Sequence, residues 1–166
     1  LSFSNDGKYT AYTISRSGSD WSEIYVMDTA TGKLLEDHIN WAKFTGAAWQ
    51  KDGFYYSAYD APTKGKEFSN VNENHKIYYH KIGTPQAEDK LIYENPAYPK
   101  RFYSAGTSKD ERILFIYESG AGRGNNLFMK NLEKSNAPLI QLTTDFDYQY
   151  SPIEVIGDKM YIFTNY

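Results

Sequence analysis

Apolar and polar residues alternate along short runs that fill almost the whole chain, and turn-forming residues separate one run from the next. A period of two places successive side chains on opposite faces of an extended chain, so each run predicts a β-strand. Runs of a first kind follow an Asp- or Gly-containing turn and cover residues 10–14, 55–59, 113–117 and 160–164. Three further kinds of run follow in a fixed order. The second kind covers residues 23–28, 76–81 and 126–131, and the third covers residues 33–35, 90–93 and 139–142. The fourth covers residues 44–49, 102–107 and 150–155.

This fixed order is a repeat of about fifty residues, which is the length of a β-propeller blade with four strands. The aspartates in the turns before the first kind of run are 46, 58 and 48 residues apart; they are Asp6, Asp52, Asp110 and Asp158. The sequence therefore predicts an all-β fold, a partial β-propeller of about three four-stranded antiparallel blades. Three strands of one blade are expected in residues 1–42, complete blades in residues 43–96 and 97–146, and the first strands of the next blade in residues 147–166.

An arc of this size is expected to leave sheet edges open, because a propeller ring closes with about 4–8 blades. Open edges recruit other strands, so the isolated chain is expected to self-associate. Helices should be nearly absent, since no long stretch has an apolar period of 3.6 residues. The chain starts at Leu1 without an initiator methionine or a leader, which predicts a piece of a longer protein.

Composition narrows the possible partners of the 166-residue chain. Its net charge is −3 and it has no basic run, so neither nucleic acid nor an anionic membrane is an expected partner. No apolar stretch approaches the roughly 20 residues that cross a bilayer. The absence of cysteine excludes disulfides and thiol chemistry. The 16 tyrosines and 9 phenylalanines favour a sheet. Cytoplasm and bacterial periplasm both remain open as compartments.

Four segments carry a resemblance to a known family. They are Ser-Arg-Ser-Gly-Ser-Asp-Trp at 15–21 with Glu-Ile-Tyr-Val at 23–26, Ile-Asn-Trp-Ala-Lys-Phe-Thr-Gly-Ala-Ala-Trp at 39–49, Gly-Phe-Tyr-Tyr-Ser-Ala-Tyr-Asp at 53–60, and Lys-Ile-Tyr-Tyr-His-Lys-Ile-Gly-Thr-Pro-Gln-Ala-Glu-Asp at 76–89. In this order and spacing they resemble the N-terminal propeller of the prolyl oligopeptidase (prolyl endopeptidase) family of serine peptidases. The similarity is strongest over residues 1–95.

The resemblance implies a seven-bladed propeller that caps an α/β-hydrolase domain of the same chain. Members of the family cleave short peptides on the carboxyl side of proline, and their propeller restricts entry. Their catalytic Ser, Asp and His lie in the hydrolase domain. The Gly-x-Ser-x-Gly pentapeptide of the nucleophile elbow does not occur in this sequence. The chain is therefore expected to be inactive alone and to contain no catalytic residue.

Two other assignments compete with this one. A stand-alone β-propeller that binds protein partners would show the same repeat. A dipeptidyl-peptidase relative is also an all-β hydrolase propeller, although the Tyr-His-Lys-Ile-Gly-Thr-Pro-Gln run at 79–86 argues against it. A Gly-x-Ser-x-Gly pattern downstream in the gene would support the peptidase.

The resemblance suggests candidate substrate-binding residues. It implies that the ring of Phe44 projects into the substrate cleft and lines the pocket upstream of the proline, and it gives Phe102 a similar place. The alternative for Phe44 is an ordinary core residue of an inner strand. Some members have an arginine and a thiol in the loop at 118–126, where this chain has Glu118 and Ala121. Arg123 could replace the cation, or the loop is a turn whose glycines supply positive φ.

A long connection between two strands contains Arg16, Asp20 and Trp21. The resemblance implies that it faces the hydrolase domain and makes interdomain ion pairs; the alternative is a solvated loop. No metal or cofactor is predicted, because the three histidines are too scattered in sequence for a metal site. His80, on an alternating strand, is expected to be a surface residue or a hydrogen-bonded one.

Overall fold

A computed structural model describes residues 1–16, 19–63, 72–120 and 122–166. These ranges contain fourteen strands and one short 3-10 helix (Gln86–Glu88). The strands are β1 (Ser2–Phe3), β2 (Tyr9–Ser15), β3 (Ser22–Asp28), β4 (Leu34–Ala42), β5 (Ala48–Gln50), β6 (Gly53–Ala58), β7 (Lys76–Lys81), β8 (Lys90–Tyr93), β9 (Phe102–Thr107), β10 (Ile113–Ser119), β11 (Asn125–Asn131), β12 (Ile140–Gln141), β13 (Tyr150–Ile156) and β14 (Lys159–Thr164).

The all-β prediction is confirmed, and every paired strand is antiparallel to its neighbour. Each of the thirteen predicted runs overlaps a strand, and β1 is an additional strand that the pattern did not predict. The largest difference lies at residues 44–49, where only Ala48–Gln50 is extended. Within the described ranges, no helix is long and apolar enough to span a membrane.

The chain divides into two compact units, residues 1–100 and 101–166. In the first unit, β1 to β4 form a meander and β5 to β8 form another. One bridge between Ala42 and Ala58 joins β4 to β6, so the two meanders are one sheet. Both alanines are buried. Their small side chains allow the two strands to approach at this point.

The core of the first unit follows from the alternation that predicted its strands. Ile24 and Val26 are fully buried on one face of β3, while their neighbours are partly exposed. Strand β6 differs because all six of its residues are buried, and it contributes Phe54 and Tyr56 to the core. A strand that is buried on both faces loses its alternation of burial.

The second unit contains a four-stranded sheet, in the order β12-β11-β10-β9, and the β13–β14 hairpin. Its core includes Phe115 and Leu127, against which Tyr150, Val155 and Met160 pack. The hairpin therefore packs its inner side chains on the face formed by β10 and β11.

A buried charge cluster connects the two meanders of the first unit. The His80 ring on β7 lies 2.7 Å from a carboxylate oxygen of Asp89 through Nδ1, and 3.0 Å from one of Asp37 on β4 through Nε2. Each of the three side chains is at most 3% exposed. Gly83 N–H also donates to Asp37, and the Tyr56 hydroxyl donates to Asp89. The expectation that His80 is a hydrogen-bonded residue is confirmed, and the surface alternative is wrong.

The cluster should make stability depend on pH. Burial opposes the imidazolium, but the hydrogen bonds and charges of Asp89 and Asp37 outweigh it and raise the pKa of His80. A raised folded-state pKa gives a stabilisation that is complete below the unfolded pKa of about 6.5 and is lost as pH rises through the folded value. Urea unfolding between pH 6 and 9 should show this decline. His80→Gln, which cannot titrate, should lose about 3–5 kcal/mol at pH 6 and show a smaller slope; an unchanged slope would contradict the assignment.

Candidate functional site

Phe44 lies in the irregular segment between β4 and β5, with a φ of 52°, and the residue is 58% exposed. The prediction of a strand at residue 44 is wrong, because a left-handed φ is incompatible with extended backbone. The alternative of an ordinary core residue is also wrong, since the ring is largely exposed. A non-glycine residue in this conformation costs about 1–3 kcal/mol and persists only where its surroundings impose it.

Backbone contacts with Ser57 on β6 impose this conformation from both sides. Lys43 N–H donates to the Ser57 carbonyl at 3.3 Å. Ser57 N–H donates in turn to Thr45 Oγ1 at 2.8 Å. The residues on either side of Phe44 are therefore tethered to the same strand residue, and Phe44 lies at the tip of the turn between them.

His75, directly before β7, is buried beside this turn. Its Nε2 lies 3.0 Å from the Lys43 carbonyl oxygen. Because a carbonyl oxygen only accepts, Nε2 carries the proton. Burial lowers the pKa of His75 to about 4, so the ring is neutral at physiological pH. The imidazole also contacts Phe44 edge-on, with centroids 6.3 Å apart, and Tyr59 at 4.5 Å.

Lys43 contacts the loop that was predicted to face the hydrolase domain, so this loop lies beside the turn at Phe44. Its side chain is only 5% exposed, and its ammonium lies 4.9 Å from the Trp21 ring centroid and 5.4 Å from that of Phe44. The Asp20 carboxylate is 3.7 Å away and 83% exposed. Two aromatic faces and one carboxylate therefore hold a nearly buried ammonium. Trp21 itself packs edge-on against Trp41 and Tyr59.

Arg16 lies in a different network. Its guanidinium Nε is 2.6 Å from Glu23, and another of its nitrogens donates to the Tyr25 hydroxyl. Glu23 also contacts His38 at 2.8 Å. Hydrogen bonds from Arg16, Tyr25 and His38 lower the pKa of Glu23 to about 2. Asp20, Trp21 and Phe44 therefore all contact Lys43. Arg16 instead forms an ion pair with Glu23 on β3.

The remaining candidates belong to the second unit. Phe102 is the first residue of β9 and is 39% exposed. Glu118, on β10, is buried and accepts hydrogen bonds from Arg101 at 2.9 Å and from the Asn126 amide at 2.9 Å. The Glu118 carboxylate is therefore held inside the unit by Arg101 and Asn126. Arg123 is exposed, and Ala121 lies outside the described residues.

The glycines of the same loop have a different role from the predicted one. In the described parts of the chain, positive-φ glycines occur at residues 7, 32, 83 and 157, and none of them belongs to this loop. A Cβ on Gly124 would lie 1.8 Å from the Tyr148 carbonyl oxygen, and one on Gly122 would lie 2.5 Å from Phe146. Gly122 and Gly124 are therefore required for close approach to the segment that leads into β13.

Sequence reasoning did not identify His75 or Lys43. His75 stands in no motif, and Lys43, although it lies in the 39–49 segment directly before Phe44, has no feature there that singles it out. They meet the turn because the Ala42–Ala58 bridge and the start of β7 bring three separate parts of the chain together. The arrangement presents an apolar ring on a fixed backbone, which suits recognition of an apolar group.

The antiparallel meanders define a partial β-propeller, and comparisons with known proteins give the family. A profile of the prolyl oligopeptidase N-terminal β-propeller domain matches residues 1–166. The chain belongs to the prolyl oligopeptidase family.

Relatives and solved structures agree with this assignment. Prolyl endopeptidases of Elizabethkingia meningoseptica and Elizabethkingia miricola are 38% and 36% identical over 99% of the chain. The solved structure of prolyl oligopeptidase B from Galerina marginata, bound to a 25-residue macrocyclization substrate, superposes with a TM-score of 0.88 at 31% identity over 99% of the chain. The chain spans 23% of the two bacterial relatives and 25% of the fungal structure.

Gly124→Ala should destabilise the chain by about 1–3 kcal/mol, because its methyl group overlaps the Tyr148 carbonyl and forces the loop away from β13. Thermal or urea unfolding measures the change. Gly120→Ala is the matched control: its Cβ would meet only the Phe146 ring at 3.5 Å, an ordinary contact. Equal stabilities of the two variants would refute the close-approach role.

Proposed function

We propose that this chain is the substrate-gating propeller portion of a proline-specific serine endopeptidase that acts on short peptides. The observation that carries the proposal is the exposed ring of Phe44 on a backbone tethered from both sides. Such a ring is an apolar wall whose position is fixed before a ligand arrives. Family membership supplies the reaction class, since the bacterial relatives are prolyl endopeptidases.

The wall would bind the peptide upstream of the proline. Covering about 50 Å² of apolar surface at about 25 cal/mol per Å² gives roughly 1 kcal/mol, or somewhat less than a tenfold change in affinity. Phe102, also exposed, is a second apolar contact of the same kind in this proposal. Arg123, on an exposed loop, is a candidate cation for peptide carbonyl groups.

Catalysis would take place in an α/β-hydrolase domain of the same parent chain. The relatives are about four times as long as this chain, which leaves room for such a domain. Asp20 and Trp21 would face that domain. Both residues contact Lys43, and Lys43 also contacts the Phe44 ring. A movement of Asp20 and Trp21 during interdomain closure would therefore be transmitted to the apolar wall.

Phe44→Ala in the full-length parent protein should raise KM about three- to tenfold for a reporter peptide with leucine before proline, and leave kcat nearly unchanged. A glycine-proline reporter should change little, because it has no side chain to cover the ring. Phe3→Ala removes another exposed phenylalanine of the first unit and is the matched control. If both Phe44→Ala and Phe3→Ala leave the two KM values unchanged, the apolar wall is not at Phe44.

The isolated 166-residue chain should not cleave a proline-containing reporter peptide, because the proposed catalytic residues belong to another domain. A fluorogenic assay with the parent protein as positive control measures this. Turnover that survives repurification of the chain would refute the assignment of catalysis elsewhere.

A further inference from the structure

We infer that His75 is a positioning residue that holds the Phe44 ring in its substrate-binding orientation. The inference rests on the proposed function of Phe44 and extends it to a residue that does not itself reach the ligand. His75 is fully buried, whereas the Phe44 ring is largely exposed.

His75 acts on the peptide plane before Phe44. The carbonyl of Lys43 belongs to the peptide unit that also contains the Phe44 nitrogen. The φ angle of Phe44 is the rotation about its N–Cα bond, which orients the Phe44 side chain relative to that plane. The His75 hydrogen bond to the Lys43 oxygen fixes the plane and therefore helps to set the φ of 52°.

The two Ser57 contacts hold the Lys43 N–H and the Thr45 side chain, which lie on either side of the turn. Neither of them acts on the Lys43 carbonyl. A rotation of the peptide plane between Lys43 and Phe44 would break the His75 hydrogen bond and swing the ring.

The imidazole packs against Phe44 and Tyr59, and it also donates the hydrogen bond from Nε2 to the Lys43 carbonyl. A residue with only a packing role would be replaced by another aromatic ring without effect on Phe44. A residue that positions Phe44 needs the Nε2–H donor, which separates the two roles experimentally.

The test uses the full-length parent protein and two reporter peptides, with leucine or glycine before the proline. His75→Phe keeps a ring and removes the donor. It should raise KM for the leucine peptide about three- to tenfold, with kcat within about twofold and the glycine peptide unaffected. His75→Gln, whose amide nitrogen reaches the position of Nε2, should restore the wild-type KM. If His75→Phe does not fold, His75→Asn replaces it, because its amide is too short to reach Lys43.

Phe44→Ala separates failure of this inference from failure of the proposed function. If Phe44→Ala raises KM for the leucine peptide and the donor-free variant does not, the positioning role is overturned and the proposed function stands. If Phe44→Ala changes neither peptide, the proposed function fails. In that case the positioning role is tested by the ¹⁹F resonance of fluorophenylalanine at Phe44, which is assigned with Phe44→Leu. A change of its chemical shift in the donor-free variant that His75→Gln reverses supports the positioning role. An unchanged resonance overturns it.

Discussion

A buried imidazole links the two meanders of the first unit through charged contacts. The two meanders of that unit share one backbone bridge, at Ala42 and Ala58, so contacts that involve side chains add to it in fixing their register. His80 contacts a carboxylate from β4 through one nitrogen and the carboxylate of Asp89 through the other. Two buried acids around a ring that can carry one positive charge are costly to separate, because each would then remain uncompensated. The cluster thus fixes β4 relative to β7.

That fixed relation is what allows the turn at Phe44 to exist. Because β4 ends against β6, Ser57 can bracket the turn and His75 can reach the Lys43 carbonyl. The conformational strain at Phe44 is therefore offset by contacts with β6 and with the residue before β7. The Lys43 ammonium lies between the Phe44 ring and the Trp21 ring. Lys43 therefore joins the turn at Phe44 to the loop that contains Trp21.

The strands were predictable from sequence because period-two alternation is a local signal, and it located all but β1. Phe44 was predictable as a residue of interest, but only through resemblance, and its strand assignment was wrong because a left-handed turn leaves no trace in the alternation. His75 and Lys43 were not predictable, since their roles arise from contacts between segments that are distant in sequence. The loop glycines were noticed for the wrong reason: steric proximity to Phe146 and Tyr148 depends on tertiary structure.

The contact at Gly124 also restricts how this propeller can vary. The glycine donates its N–H to Phe146 while its α-carbon faces the Tyr148 backbone with no space for a side chain. The β10–β11 connection is therefore in direct contact with the segment that leads into the next hairpin. A side chain at residue 124 would displace the segment that leads into β13, so a change in this loop also moves the following hairpin.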